Sequence, residues 1–106
     1  MGRALINVPA KAKRGEIVEI KALVSHPMET GYRTGPGGAL VLRDIIQRFV
    51  CTYNGEEVFS ADFFPAIAAN PFIAFTTVAT ESGTIIFRWI DDQGRGQIET
   101  AKITVE

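Results

Sequence analysis

The residue types that could do chemistry here are few: one thiol at Cys51, one imidazole at His26, the adjacent acids Asp91-Asp92, and the glycine cluster Gly35-Pro36-Gly37-Gly38. A thiol attacks only as the thiolate, which needs exposure and a neighbouring cation or base. Cys51 stands instead in a β-branched and aromatic stretch, on one face with Phe49 and Tyr53. Apolar surroundings raise a thiol's pKa, so Cys51 reads as a structural residue. A single histidine excludes a multi-histidine metal site, and a Ser-His-Asp triad would have to be built on His26. His26 precedes Pro27 at a strand end with no nucleophile motif near it, and reads as a surface or loop-anchoring residue. The glycines at 35–38 are followed neither by a Lys-Ser/Thr pair nor by a helix, so they do not cradle phosphate. Asp91-Asp92 could hold a cation, but adjacent acids at a hairpin are more often solvated turn residues. The sequence thus assigns no catalytic residue, metal or cofactor, and the chain is expected not to be an enzyme.

The elements that would position these groups are strands. Over 16–25, Val18, Ile20, Ala22 and Val24 fall on one face and Glu19 and Lys21 on the other, the period of a half-buried strand. Over 43–53, Ile45, Phe49, Cys51 and Tyr53 share a face. Asn54-Gly55 then marks a hairpin, because a type I′ turn needs two residues that tolerate positive φ. The partner strand returns over 57–63, and further strands are expected over 3–8, 72–79, 84–91 and 97–105. Trp89, sharing a face with Ile85 and Phe87, is the expected core anchor. About seven short strands at these intervals predict an all-β, immunoglobulin-like or fibronectin III-like β-sandwich, a single domain over 1–106.

Composition agrees with a folded chain. Hydrophobic residues make up 46% and charged residues 22%, enough to bury a modest core without metals or disulfides. The net charge of −1 gives no electrostatic reason to expect nucleic acid or an anionic membrane. The basic residues gather in the first half, eight of them against four acids over 1–53, a weak hint of a locally charged surface. A lone cysteine suggests a reducing compartment, and Met1-Gly2-Arg3-Ala4 lacks the apolar core of a signal peptide.

Two segments break the strand pattern. Residues 26–39 are long and glycine-rich; residues 64–71 are apolar yet carry Pro65 and Pro71. Ordinary loops are polar, so an apolar one either folds back over the sandwich or meets a partner.

Several segments, in this order and spacing, resemble the SoxZ family: Ser25-His26-Pro27-Met28-Glu29-Thr30-Gly31, the IQRFVC run of 46–51, Tyr53-Asn54-Gly55-Glu56-Glu57-Val58-Phe59, Ala68-Ala69-Asn70-Pro71, Glu81-Ser82-Gly83-Thr84 and Trp89-Ile90-Asp91-Asp92. The first and third are the most specific, and the loop at 32–39 departs most. The resemblance implies an immunoglobulin-like subunit of the SoxYZ sulfur carrier complex of thiosulfate oxidation. There the partner, SoxY, carries sulfur intermediates on a cysteine of a flexible glycine-rich arm. This sequence ends in the strand-like Ala101-Lys102-Ile103-Thr104-Val105-Glu106, which fits the non-carrier role. The resemblance implies a heterodimer with SoxY, transient docking of other Sox enzymes, no nucleic-acid or membrane partner, and a periplasmic location reached by export with a signal-bearing partner. That location displaces the reducing compartment suggested by composition.

The expected partner-binding residues are His26, Met28, Glu29, Phe63, Phe64, Ile67 and Phe72, with His26 and Glu29 at the polar rim. Competing readings are a subunit of a carrier for another oxidation system, a stand-alone adhesion or ligand-binding sandwich, and a thiol enzyme using Cys51.

Overall fold

The computed structural model describes residues 3–106, so the first two residues of the opening segment considered above lie outside the described residues. The strands are β1 (Ala4–Asn7), β2 (Lys11–Ala12), β3 (Ile17–Val24), β4 (Ile46–Tyr53), β5 (Glu56–Asp62), β6 (Phe72–Val78), β7 (Gly83–Asp91) and β8 (Gly96–Val105). They form a three-stranded sheet in the order β1-β3-β6 and a five-stranded sheet in the order β2-β8-β7-β4-β5. All neighbours are antiparallel except β2 and β8. The β-sandwich read from the alternation is the fold observed, with the two-residue strand β2 added to the seven expected.

Alternation decides which side chains fill the space between the sheets. Val18, Ile20, Ala22 and Val24 of β3 are buried, as are Phe49, Cys51 and Tyr53 of β4 and Ile85, Phe87 and Trp89 of β7. Phe49 links the layers: its ring centroid lies 5.2 Å from Trp89 and 6.4 Å from Phe75, which comes from the opposite sheet. The rhythm of β4 slips once. A bulge between Ile46 and Arg48 turns Ile46 inward where strict alternation from Phe49 would have placed Gln47, and Ile45, just before the strand, is buried as well.

Asn54 and Gly55 make the expected hairpin turn, with φ of 50° and 85°. The Asn54 side chain is used as well, its Oδ1 accepting the Thr84 N–H at 3.0 Å. A Cβ at Gly83 would stand 1.7 Å from that oxygen, so any larger residue there displaces the Asn54 side chain from this bond.

The glycine-rich connection between β3 and β4 is an arm of paired chain rather than an irregular loop. Glu29 and Asp44 bridge at its base, Thr34 and Leu40 near its tip, and a single 3-10 turn (Pro36–Gly38) closes it. The arm leaves Tyr32, Leu40 and Leu42 largely in solvent.

Candidate functional site

The unusual segments of the sequence meet at one end of the sandwich, around His26. Asn70, at φ 54°, holds the end of the 63–71 loop against it. The His26 N–H donates to Asn70 Oδ1 at 3.0 Å, and the Asn70 N–H donates to the His26 carbonyl at 2.8 Å. The Met28 N–H donates to His26 Nδ1 at 3.0 Å, and the Ile46 N–H donates to Met28 Sδ at 3.3 Å. His26 is therefore a buried clasp joining the 25–45 connection to the 63–71 loop.

Beyond His26 lie two carboxylates. Nε2 stands 3.7 Å from Asp44 Oδ1 and 3.7 Å from Asp91 Oδ2, beyond direct hydrogen-bond range. Neither Nε2 nor Asp44 Oδ1 has a hydrogen-bond partner among the described residues. The three ligand-type atoms lie within 4.8 Å of one another, a spacing that could suit a cation. The tautomer opposes one. Because Nδ1 accepts the Met28 N–H, the ring proton belongs on Nε2, the atom that would have to offer a lone pair. Arg95 already engages both acids, at 2.8 Å from Asp91 Oδ2, the oxygen that faces His26, and at 2.9 Å from Asp44 Oδ2, the oxygen that does not. The group is better suited to hold chain segments together than to bind a metal.

Asp91 and Asp92 are not the solvated turn residues expected from sequence. Asp91 is 2% exposed. Burial alone would raise its pKa, but the Arg95 and Gln93 N–H groups and the Arg95 guanidinium outweigh burial and hold it below the usual carboxylate range. Asp92 faces the other way. A bidentate pair with Arg43, at 2.8 Å for each bond, lowers its pKa to about 2 against a smaller opposing effect of burial, with help from Gln47 and the Ile45 N–H. The two acids thus pin the β7–β8 turn to the start of β4. The sequence signal for half of this arrangement is the Asp91–Arg95 spacing, an acid and a base set to face across a tight turn; the other half comes from residues more than 40 positions away, beyond local reading.

Cys51 lies fully inside, and burial pushes its thiol up to about 12. At neutral pH it has essentially no thiolate, so it is chemically inert in the folded chain.

The structure divides the seven residues expected to bind a partner. His26, Met28 and Phe63 are buried, so they support the surface from within; His26 is not at a rim, and Met28 joins the core. Met28 takes a φ of 52°, and its side chain is buried in the core rather than offered to a partner. Glu29 is partly exposed and engaged by Arg33 at 2.7 Å. Phe64, Ile67 and Phe72 remain in solvent. Register adds two residues that sequence reading missed: Leu23 lies directly between Leu5 and Phe72. The three make an apolar row across the outer face of the three-stranded sheet, with Leu5 62% and Phe72 59% exposed.

The architecture is shared with solved structures of diverse function. Superoxide reductase (neelaredoxin) from Ignicoccus hospitalis superposes with a TM-score of 0.74 at 18% identity, covering 99% of this chain and 81% of that one. The sulfur carrier protein SoxY from Chlorobium limicola superposes with a TM-score of 0.68 at 13% identity, covering 97% and 78%. The PKD domain of an M14-like peptidase from a Thermoplasmatales archaeon gives 0.57 at 10% identity, covering 96% and 91%. At such identities the likeness is one of fold. No curated protein sequence matches the chain. The sequence itself is more specific: residues 6–102 match the family model described as "Sulphur oxidation protein SoxZ". The chain belongs to the SoxZ family.

Proposed function

We propose that this chain is the non-carrier subunit that binds and stabilises a SoxY-type sulfur carrier, the two forming the carrier complex of thiosulfate oxidation. The observation that carries this reading, for a member of the SoxZ family, is the sealed state of Cys51. A carried sulfur intermediate must be presented to several enzymes in turn, which requires an exposed, mobile thiol. The only thiol of this chain is fully buried in mid-strand with its pKa raised to about 12. The sulfur-bearing cysteine therefore belongs to the partner. The chain's work is to hold that partner, and it is not itself an enzyme. The same reading places the complex in the periplasm, exported together with a signal-bearing partner.

A subunit that holds a carrier while enzymes visit needs more than one contact surface. The solvent-facing Phe64, Ile67 and Phe72, with Leu5 and Leu23 beside Phe72, supply one of them. Glu29 supplies polar character at the same end of the sandwich, with His26, Met28 and Phe63 bracing it from inside.

Size-exclusion chromatography of the chain mixed with a SoxY-type protein from the same genome tests the proposal. A single peak of heterodimer mass at micromolar concentration is expected, since a permanent pair buries about 1,600 Å² or more. Separate elution of the two proteins contradicts it.

A further inference from the structure

We infer that the carrier partner docks on the outer face of the five-stranded sheet, and that Arg88 at the centre of this face pairs with a carboxylate the partner supplies. The inference rests on the reading of the chain as a carrier-binding subunit and goes on to assign the face.

An antiparallel sheet with one face in water ordinarily carries polar side chains there. The inward positions of β4 and β7 are apolar and buried, as the fold demands. Four of the outward positions, standing among polar ones such as Arg48, Thr52 and Thr100, break the rule. Val50 of β4, Ile86 and Ile90 of β7 and Ile98 of β8 all point away from the core, with Ile90 37% and Ile98 54% exposed. The register places them around one residue. Arg88 is opposite Val50 on one side and Ile98 on the other, and Ile86 and Ile90 lie two positions away along its own strand.

Arg88 is exposed and makes no ion pair or side-chain hydrogen bond among the described residues. Four other arginines, Arg33, Arg43, Arg48 and Arg95, each hold a carboxylate. An arginine ringed by aliphatic side chains is the residue type on which binding energy concentrates at interface centres. It can be covered without great cost only if a carboxylate arrives to meet it, since an unpaired buried charge is strongly unfavourable.

Charge decides between occupants. A second copy of this chain is a poor match from the same face, because its acids Asp62 and Glu57 lie at the β5 margin beside Arg48, at 2.6 and 3.9 Å, and not at the centre. Two-fold packing of this face on itself would also set one Arg88 against the other. The occupant that fits is a different protein with an apolar surface and an acid near its middle.

Calorimetric titration of the full-length chain with the SoxY-type protein tests the assignment, using Arg88→Glu and Ile98→Asp as variants and Lys13→Glu, in the exposed turn between β2 and β3, as control. Both variants point outward, so thermal melts close to wild type will confirm folding. Arg88→Glu is expected to weaken binding about 100-fold or more and Ile98→Asp about 10-fold, with Lys13→Glu within about twofold of wild type. Binding of both variants within about twofold of wild type overturns the face assignment while leaving the subunit reading intact. No binding by the wild-type chain overturns both. A wild-type homodimer that Arg88→Glu converts to monomer also overturns the assignment, because the face is then filled by a second copy.

Discussion

Replacing Asp91 with alanine is expected to lower stability by about 3 kcal/mol and the melting temperature by about 15 °C. The carboxylate is buried and accepts the Gln93 and Arg95 N–H groups and the Arg95 guanidinium. Its removal strands those donors and takes away one of the two acids facing His26 Nε2. Arg95 is about half exposed and can turn to water, which keeps the loss at the low end of the range for a broken buried pair. The pH dependence follows from the direction of the shifts. Asp91 and Asp92 both have folded pKa values below their unfolded ones. Their stabilisation is therefore complete above the unfolded carboxylate value, about pH 4, and is lost as pH falls through the folded values, about 2 for Asp92. Thermal melts of wild type should be steady near neutrality and fall below about pH 4, with a shallower fall in Asp91→Ala. A variant within about 0.5 kcal/mol of wild type at pH 7 would mean that the turn does not depend on this carboxylate.

Phe49→Ala is expected to cost about 4 kcal/mol, a large part of the stability of a domain this size. Phe49 is wholly buried and its ring lies within 6.4 Å, centroid to centroid, of Phe59, Phe75, Phe87 and Trp89. It thus joins β4 and β7 of one sheet to β6 of the other, and no neighbour can move into the gap without abandoning its own contacts. Urea unfolding checks this: the midpoint should drop sharply with little change in slope. Phe49→Leu keeps most of the volume and should cost about 1.5 kcal/mol or less. A loss below about 1.5 kcal/mol for the alanine variant would show that the sheets are joined chiefly elsewhere.

Much of this was legible in sequence because the fold is written in local alternation. The inward sets of β3, β4 and β7, and the Asn54-Gly55 turn, follow from a period of two and from the dihedral needs of one hairpin. The two-residue β2 escaped because so short a pairing leaves no periodic trace. The bulge in β4 escaped because Ile45 and Ile46 are equally apolar, and nothing local says that both turn inward. The site was harder to read. His26 looks like a residue stranded in a loop until Asn70, 44 positions on, closes over it. Asp92 looks like a solvated turn acid until Arg43, 49 positions back, reaches it. Such pairings are made by the tertiary fold and leave no spacing to recognise. The outward apolar residues around Arg88 were each visible in sequence, but only strand register reveals that they surround one cation.

Sulfur loading separates a carrier from the subunit that holds it. The chain is reconstituted with a SoxY-type protein, the proposed complex is charged with thiosulfate by Sox enzymes, and the intact mass of each subunit is measured. The expected result is a sulfur adduct on the partner alone, unchanged when Cys51→Ser replaces the wild-type chain. That variant is expected to lose about 1–3 kcal/mol of stability if its buried hydroxyl finds no hydrogen-bond partner. A sulfur adduct on Cys51 during turnover, or loss of loading with Cys51→Ser in a complex that still forms, would contradict the non-carrier role.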